Sequence, residues 1–362
     1  MSVAHIKHCN REKMEKKKLH YDVFMGKTEY IPLIIDIPCK EKEAAATPWE
    51  CMHNPELALK NAVSQQEPKL EYESDFVPFI ESNFMECLIP SLFGAEAYES
   101  EGGLIDVKPI FDDVEDVEKL KVPDLMGGMM PQAIEHLRYI KEHAPEWMLP
   151  QISRMYSPLD AATVMRGGDF YLDIAIEPEI TAHFLNVLTE TAIGVAKILK
   201  DVIGQPMNES VTIRGIHFPG VRITNDAIVN LSPNMIQEMY FPCLKKFKKA
   251  FGEVMLHYCC APAPSGHVLP ALNKGDYVRA VDNWQGFQTF FNKEEDMLQD
   301  KIAICTDLPF DTVMNFEEYT EKTPFFSKVK RNGGRGLTVT TVAPSEEDAK
   351  RLWNKWQRMQ GR

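Results

Sequence analysis

Short apolar runs alternate with amphipathic helical stretches along most of this chain, and few architectures accommodate that pattern. EYIPLIIDIP (29–38) is β-rich and bounded by prolines, which suits a buried first strand. NPELALKNAVSQQ (54–66) has helical spacing, with Asn54 as the expected N-cap and Pro55 at the first helical position. WMLPQISRMY (147–156) reads as a strand, followed by a helix opening at Ser157-Pro158. A long helix is expected over 178–204, with apolar residues at three- and four-residue steps and Gly204 as its stop. Strand-like SVTIRGIHF (210–218), a helix over 232–252 capped by Ser232, and strand EVMLHYCC (253–260) come next. VRAVDNW (278–284), KIAICTDL (301–308) and GLTVTTV (336–342) are three further strands, and a helix over 345–359 closes the chain. Strands recurring between helices predict a parallel sheet, and no Gly/Pro/Ser-rich linker divides them. The expected fold is therefore α/β, a single-domain (β/α)8 TIM barrel over 29–362. Residues 1–28, basic and polar, are expected to form an exposed N-terminal arm. A doubly wound open sheet is the structural competitor.

At 362 residues, with 44% hydrophobic and 26% charged residues, the chain can bury one large core. The formal charge of −13 disfavours phosphate backbones and anionic membrane surfaces, so neither nucleic acid nor membrane is an expected partner. No run approaches the roughly 18 apolar residues of a membrane span. The charged N-terminal stretch has no apolar segment behind it, so no secretory signal is expected. The eight cysteines are scattered, and Cys259 and Cys260 are adjacent. Reduced thiols in a cytoplasmic protein are the expectation.

LHYCCAPAPSG (256–266) carries the most chemistry. Residues two apart on a strand share a face, so His257 and Cys259 project together near a carboxyl end, where barrel enzymes build their sites. Imidazole and thiolate are good zinc ligands, and a catalytic zinc needs only three protein ligands and an open position. The competing reading makes His257 a hydrogen-bonded barrel histidine and Cys259 a small core residue. Cys305, in IAICTDL, is a candidate further ligand or a buried apolar thiol. Asp226 follows a strand and precedes a helix, a usual place for substrate contacts, or else it only makes a turn. Asp282 ends another strand, where it either binds a donor or a metal or satisfies a backbone turn. Arg154 and Arg166 flank a strand-to-helix joint, where they either clamp a substrate carboxylate or form surface ion pairs.

Several segments taken in order, PSLFGAE (90–96), IFDDVEDVEKLKVPD (110–124), SPLDAATVMRGGDFYLDIAIEPEI (157–180), TNDAIVNLSPNMIQEMYFPCLKKF (224–247), LHYCC and ICTDLPFD (304–311), resemble the uroporphyrinogen decarboxylase superfamily over roughly residues 50–360. The superfamily contains true uroporphyrinogen decarboxylases and zinc-dependent methyltransferases that work with corrinoid proteins, and its fold is a (β/α)8 barrel. The decarboxylase branch carries an arginine-rich R-Q-A-G-R-Y segment, whereas here no arginine lies between Arg11 and Arg138. Its aspartate aligns with Met85, next to Glu86, its tyrosine with Val164, and its late histidine near Thr340 or Thr341. The methyltransferase branch binds zinc through H-x-C and a later cysteine. His257 and Cys259 match the first two positions, while TVTTVAP (338–344) has no cysteine. The resemblance thus implies a methyltransferase with zinc on His257 and Cys259. Cys305 or an acid such as Asp282 would supply the third ligand, Asp226 would orient the substrate, and a corrinoid protein would be the partner. It also implies a possible homodimer. A decarboxylase of another acid, using Arg154 or Arg166, and a ligand-binding barrel without catalysis are the alternatives.

Overall fold

The computed structural model describes residues 3–38, 46–152, 154–259, 266–283, 302–322 and 336–362. Thirteen strands are present among them: β1 (Leu33–Asp36), β2 (Phe79–Glu81), β3 (Ala97–Glu99), β4 (Ile105–Val107), β5 (Leu149–Gln151), β6 (Met155–Tyr156), β7 (Ser210–Val211), β8 (His217–Phe218), β9 (Gly220–Thr224), β10 (Glu253–His257), β11 (Ala280–Asn283), β12 (Ala303–Asp307) and β13 (Leu337–Val342). One seven-stranded sheet runs in the order β1-β13-β12-β11-β10-β9-β6, every neighbouring pair parallel. β2 and β5 form a separate parallel pair. The fold is parallel α/β and barrel-like.

A continuous backbone ladder around the wall, as a fully closed barrel would show, is not present among the described residues. Side chains bridge the junction between β1 and the segment leading into β2. The Asp75 carboxylate accepts from the Leu33 N–H at 2.8 Å, and Asp75 N–H donates to the Leu33 carbonyl at 2.9 Å. Ser74 Oγ accepts from the Ile35 N–H at 3.1 Å. Val77 N–H turns away to the Gly215 carbonyl, 3.3 Å distant.

Alternation along the strands separates an inner from an outer face. Leu33, Ile35, Val221, Ile223, Val254, Leu256, Val281, Ile304 and Val339 belong to the large core shared with the surrounding helices. Their neighbours Ile34, Met255, Ala280, Ala303 and Cys305 form a second, separate cluster with Phe24, Phe76, Ile216 and Phe218. Strand residues two apart share a side, so the second set marks the interior of the wall.

The helix Val3–Phe24 corrects the expectation of an exposed arm. His20, Val23 and Phe24 are buried, and the Phe24 ring meets Phe218 edge-on at 5.2 Å. His217 N–H donates to His20 Nδ1 at 3.1 Å, and Lys17 pairs with Glu209. Lys7, Lys13, Lys16, Lys17 and Lys18 give the segment its basic, polar look in sequence. Residues 210–218 also differ from expectation: they form the antiparallel pair β7/β8 rather than one strand. Ile216 and Phe218 from this hairpin plug the inner cluster. Gly220 opens β9 immediately after it, where a β-carbon would collide with the Glu253 carbonyl. The helix Pro178–Ile203 ends as expected on Gly204, whose φ of 74° is left-handed. Ser157, Ser232 and Ser345 cap their helices through side-chain oxygens. No described helix is long and apolar enough to cross a membrane.

Candidate active site at the carboxyl ends of the strands

One row of residues runs in register across the wall: Tyr156, Thr224, His257, Asp282, Cys305 and Thr338. All have the inward parity of Met255 and Cys305, so His257 and Asp282 stand side by side inside. The Asp282 carboxylate binds His257 Nδ1 through Oδ1 at 2.7 Å and the Arg222 guanidinium through Oδ2 at 2.9 Å. Both Asp282 and Arg222 side chains are 1% exposed. Burial pushes the Asp282 carboxyl up, but Arg222 and then His257 pull it down further, to about 2. Asp282 is therefore a fixed anion. An anion at that distance favours the tautomer with its proton on Nδ1, which turns Nε2 toward Cys259.

On the other side of the ring, Cys259 Sγ lies 2.8 Å from His257 Nε2. The Cys259 N–H donates to Asp226 Oδ1 at 2.5 Å. Asp226, His257 and Cys259 offer one carboxylate oxygen, one nitrogen and one sulfur, all within 4.8 Å of one another. The three range from exposed (Asp226) through half-buried (Cys259) to buried (His257), so the group opens outward.

The Asp226 loop is pinned from two directions. Asn225 N–H donates to the His257 carbonyl at 2.7 Å, and Asn225 Oδ1 accepts from Ser157 Oγ at 2.7 Å. The buried Asp160 carboxylate accepts from the N–H groups of Asp226 and Ala227, at 3.2 and 2.8 Å. Burial lifts the Asp160 carboxyl well above the usual range, only partly offset by those two donors. One short segment thus fixes the carboxylate to both the helix after β6 and the end of β10.

The remaining predicted residues lie elsewhere. Cys305 sits one register step past Asp282, buried in the inner apolar cluster, and among the described residues the donor atoms that converge with those of His257 and Cys259 belong to Asp226, not to Cys305 or Asp282. Burial first, then the Asp282 charge, raises its thiol far above the ordinary range, which fits a packed thiol. Arg154 lies just before β6, where its Nε binds Glu81 Oε1 at 2.7 Å. Arg166 ends the helix Pro158–Arg166 and is bound to Asp173 at 2.8 Å, away from the strand ends. Arg222 and Asp160 escaped sequence reasoning. The alternation of G-V-R-I-T would have placed an arginine on the inner face of a buried strand, a costly position that signals a partner. Nothing in the sequence pointed to Asp160 beyond its place in the first turn of a helix.

No protein-family model and no curated protein sequence matches the chain. Among solved structures, a methyltransferase from Methanosarcina mazei is similar, with a TM-score of 0.64 at 15% identity, covering 95% of this chain and 99% of that one. At that identity the likeness bears on the fold, and it agrees with a TIM-barrel-like architecture. A Listeria monocytogenes protein provisionally described as a vitamin-B12 independent methionine synthase aligns more loosely, with a TM-score of 0.45 at 12% identity over 92% and 99% of the chains. That second likeness carries no argument.

Proposed function

We propose that this chain is a methyltransferase with a metal-assisted site built from Asp226, His257 and Cys259. The observation that carries the reading is the trio of donors converging at the inner carboxyl ends of the strands, with the imidazole oriented by a buried carboxylate. Nitrogen, sulfur and oxygen donors with an open side, backed by a carboxylate on the second imidazole nitrogen, fit a catalytic zinc. When bound, zinc would act as a Lewis acid that makes a thiol or hydroxyl substrate nucleophilic or polarises a methyl-ether oxygen. Asp226 takes the place of the third cysteine that the methyltransferase branch would supply.

The protein's own groups do the rest. Asp282 favours a proton on His257 Nδ1 and so orients Nε2 toward the Cys259 side. Asp160, Asn225 and Ser157 hold the Asp226 loop, which limits the drift of its carboxylate. Cys259 Sγ and His257 Nε2, 2.8 Å apart, would hold the metal together, with the sulfur bound as thiolate. The fold shared with the Methanosarcina mazei methyltransferase supports the same class of chemistry, and a methylcorrinoid protein is the proposed methyl carrier. The decarboxylase reading draws less support, because Glu81 already occupies Arg154 and Arg166 faces Asp173.

Metal analysis after purification without chelators tests the site, alongside a methylcobalamin-to-thiol transfer assay. About one equivalent of zinc in the wild type is expected, falling below roughly a tenth in His257→Ala. Wild-type protein without zinc and without transfer would sink the reading.

A further inference from the structure

Arg222 satisfies one of its nitrogens and leaves two. Its Nε donates to Asp282 Oδ2 at 2.9 Å, whereas Nη1 and Nη2 are buried with no hydrogen-bond partner among the described residues. The side chain is 1% exposed, so bulk solvent does not serve those donors. Unmade hydrogen bonds on a buried charged group are among the costlier defects a fold can carry. Arg222 borders a void of about 20 Å³, room for a single water-sized particle. Ser210 Oγ, on the same void, is likewise buried without a partner.

The other polar side chains around the void are engaged. Gln205 Nε2 donates to Gln151 Oε1 at 2.7 Å, and Gln205 Oε1 accepts from the Ile152 N–H at 3.0 Å. Arg154 binds Glu81 at 2.7 Å. Lys200 Nζ donates to the carbonyls of Pro206, at 3.2 Å, and of Glu209. A water in the void could accept from the guanidinium, but of the described side-chain oxygens only Ser210 Oγ is left to take its two hydrogens. An anion needs no acceptor. Charge points the same way. Arg154 and Arg222 each have a carboxylate, while Glu209, whose charge acts on Lys200, is bound to Lys17. Those two lysines share one carboxylate, and burial lowers His217 beside it, which keeps that ring neutral. Burial lowers Lys200 only to about 8, so it is still an ammonium at neutral pH. One positive charge is in excess.

We infer that this void binds one halide ion, held by Nη1 and Nη2 of Arg222 and the Ser210 hydroxyl, with Lys200 supplying the balancing charge. Chloride is the halide that ordinary media supply, and polyatomic anions are too large for the space. The ion stands behind the candidate site. Arg222 grips it on one edge and Asp282 on the other, and Asp282 in turn orients His257. Loss of the ion frees the outer edge of the guanidinium that fixes Asp282. None of this requires the methyltransferase reading.

Bromide serves as the probe. Full-length protein crystallised with bromide in place of chloride is expected to show an anomalous peak within hydrogen-bond reach of Arg222 Nη1 and Nη2. Water density there without anomalous signal overturns the inference. In solution, thermal unfolding is followed in bromide and in gluconate at equal ionic strength. An ion bound only by the folded state raises the midpoint, by roughly 2 °C once bromide exceeds its dissociation constant about tenfold. Arg222→Leu/Asp282→Asn, which removes the donors, and Ser210→Val, which fills the void, report the general salt effect. Each is expected to lose the bromide-specific rise, and an equal rise in both overturns the assignment. If the double variant does not fold, Ser210→Val carries the comparison alone, and a bromide peak kept in its crystals counts against the site.

Discussion

Asp282 is the residue on which the site's electrostatics turn. It is fully buried, ionised, and shared between an imidazole and a guanidinium on adjacent strands. A buried ion pair adds little net stability, but removing one partner strands the other as an uncompensated charge. Arg222→Leu is therefore expected to destabilise the fold by about 3–5 kcal/mol, and Arg222→Leu/Asp282→Asn to recover much of that loss. Urea melts of the two variants measure the difference; equal losses in both would refute the shared-anion picture. At this scale the sequence was informative for His257 and Cys259, because a strand's two-residue period puts them on one side without any knowledge of partners. It was silent on which acid joins them. Asp226 and Asp282 were both on view as strand-end acids, and only packing made one a ligand candidate and the other an orienting anion.

Among the elements, the junction of β1 with the segment before β2 combines one backbone bond, Asp75 N–H to the Leu33 carbonyl, with bonds from β1 N–H groups to the Ser74 and Asp75 side chains. Asp75 carries much of it, accepting from Leu33 N–H and from the Tyr30 hydroxyl at 3.0 Å. Burial raises its carboxyl to about 6, despite those two donors. Because the folded value lies above the unfolded one, the stability from neutral Asp75 is full below about pH 4 and is lost as pH rises through about 6. The loss is of the order of 2–3 kcal/mol, since each tenfold change in proton affinity is worth about 1.4 kcal/mol. A pH series of urea midpoints in the wild type, beside Asp75→Asn, checks this: the variant is expected to lack that decline, and an identical profile would count against the assignment. The elements around the site were legible to different degrees. Helix starts at Asn54, Ser157, Ser232 and Ser345 were readable because a cap and its following proline or acid act locally. The hairpin β7/β8 was not, since its turn gains its meaning only from the plug it forms.

For the whole molecule, the N-terminal helix packs its end into the apolar cluster inside the strand wall. Phe24 is 2% exposed and completes the inner cluster with Phe218, Ile216 and Met255. Phe24→Ala is expected to cost about 3–5 kcal/mol, as for other buried aromatic truncations. Thermal or urea unfolding would show it, and a loss under about 1 kcal/mol would return the segment to the status of a loosely attached arm. The alternation of apolar runs and amphipathic helices determined the parallel α/β layout, because hydrophobic period and length are local properties that tertiary context seldom reverses. Composition set the acidic surface. Tertiary structure alone decided that Asp226 faces His257 and Cys259 and that Asp282 is locked against Arg222. Those facts depend on which strands become neighbours, and neighbours brought together from 25 to 60 residues apart leave no periodic trace in the chain.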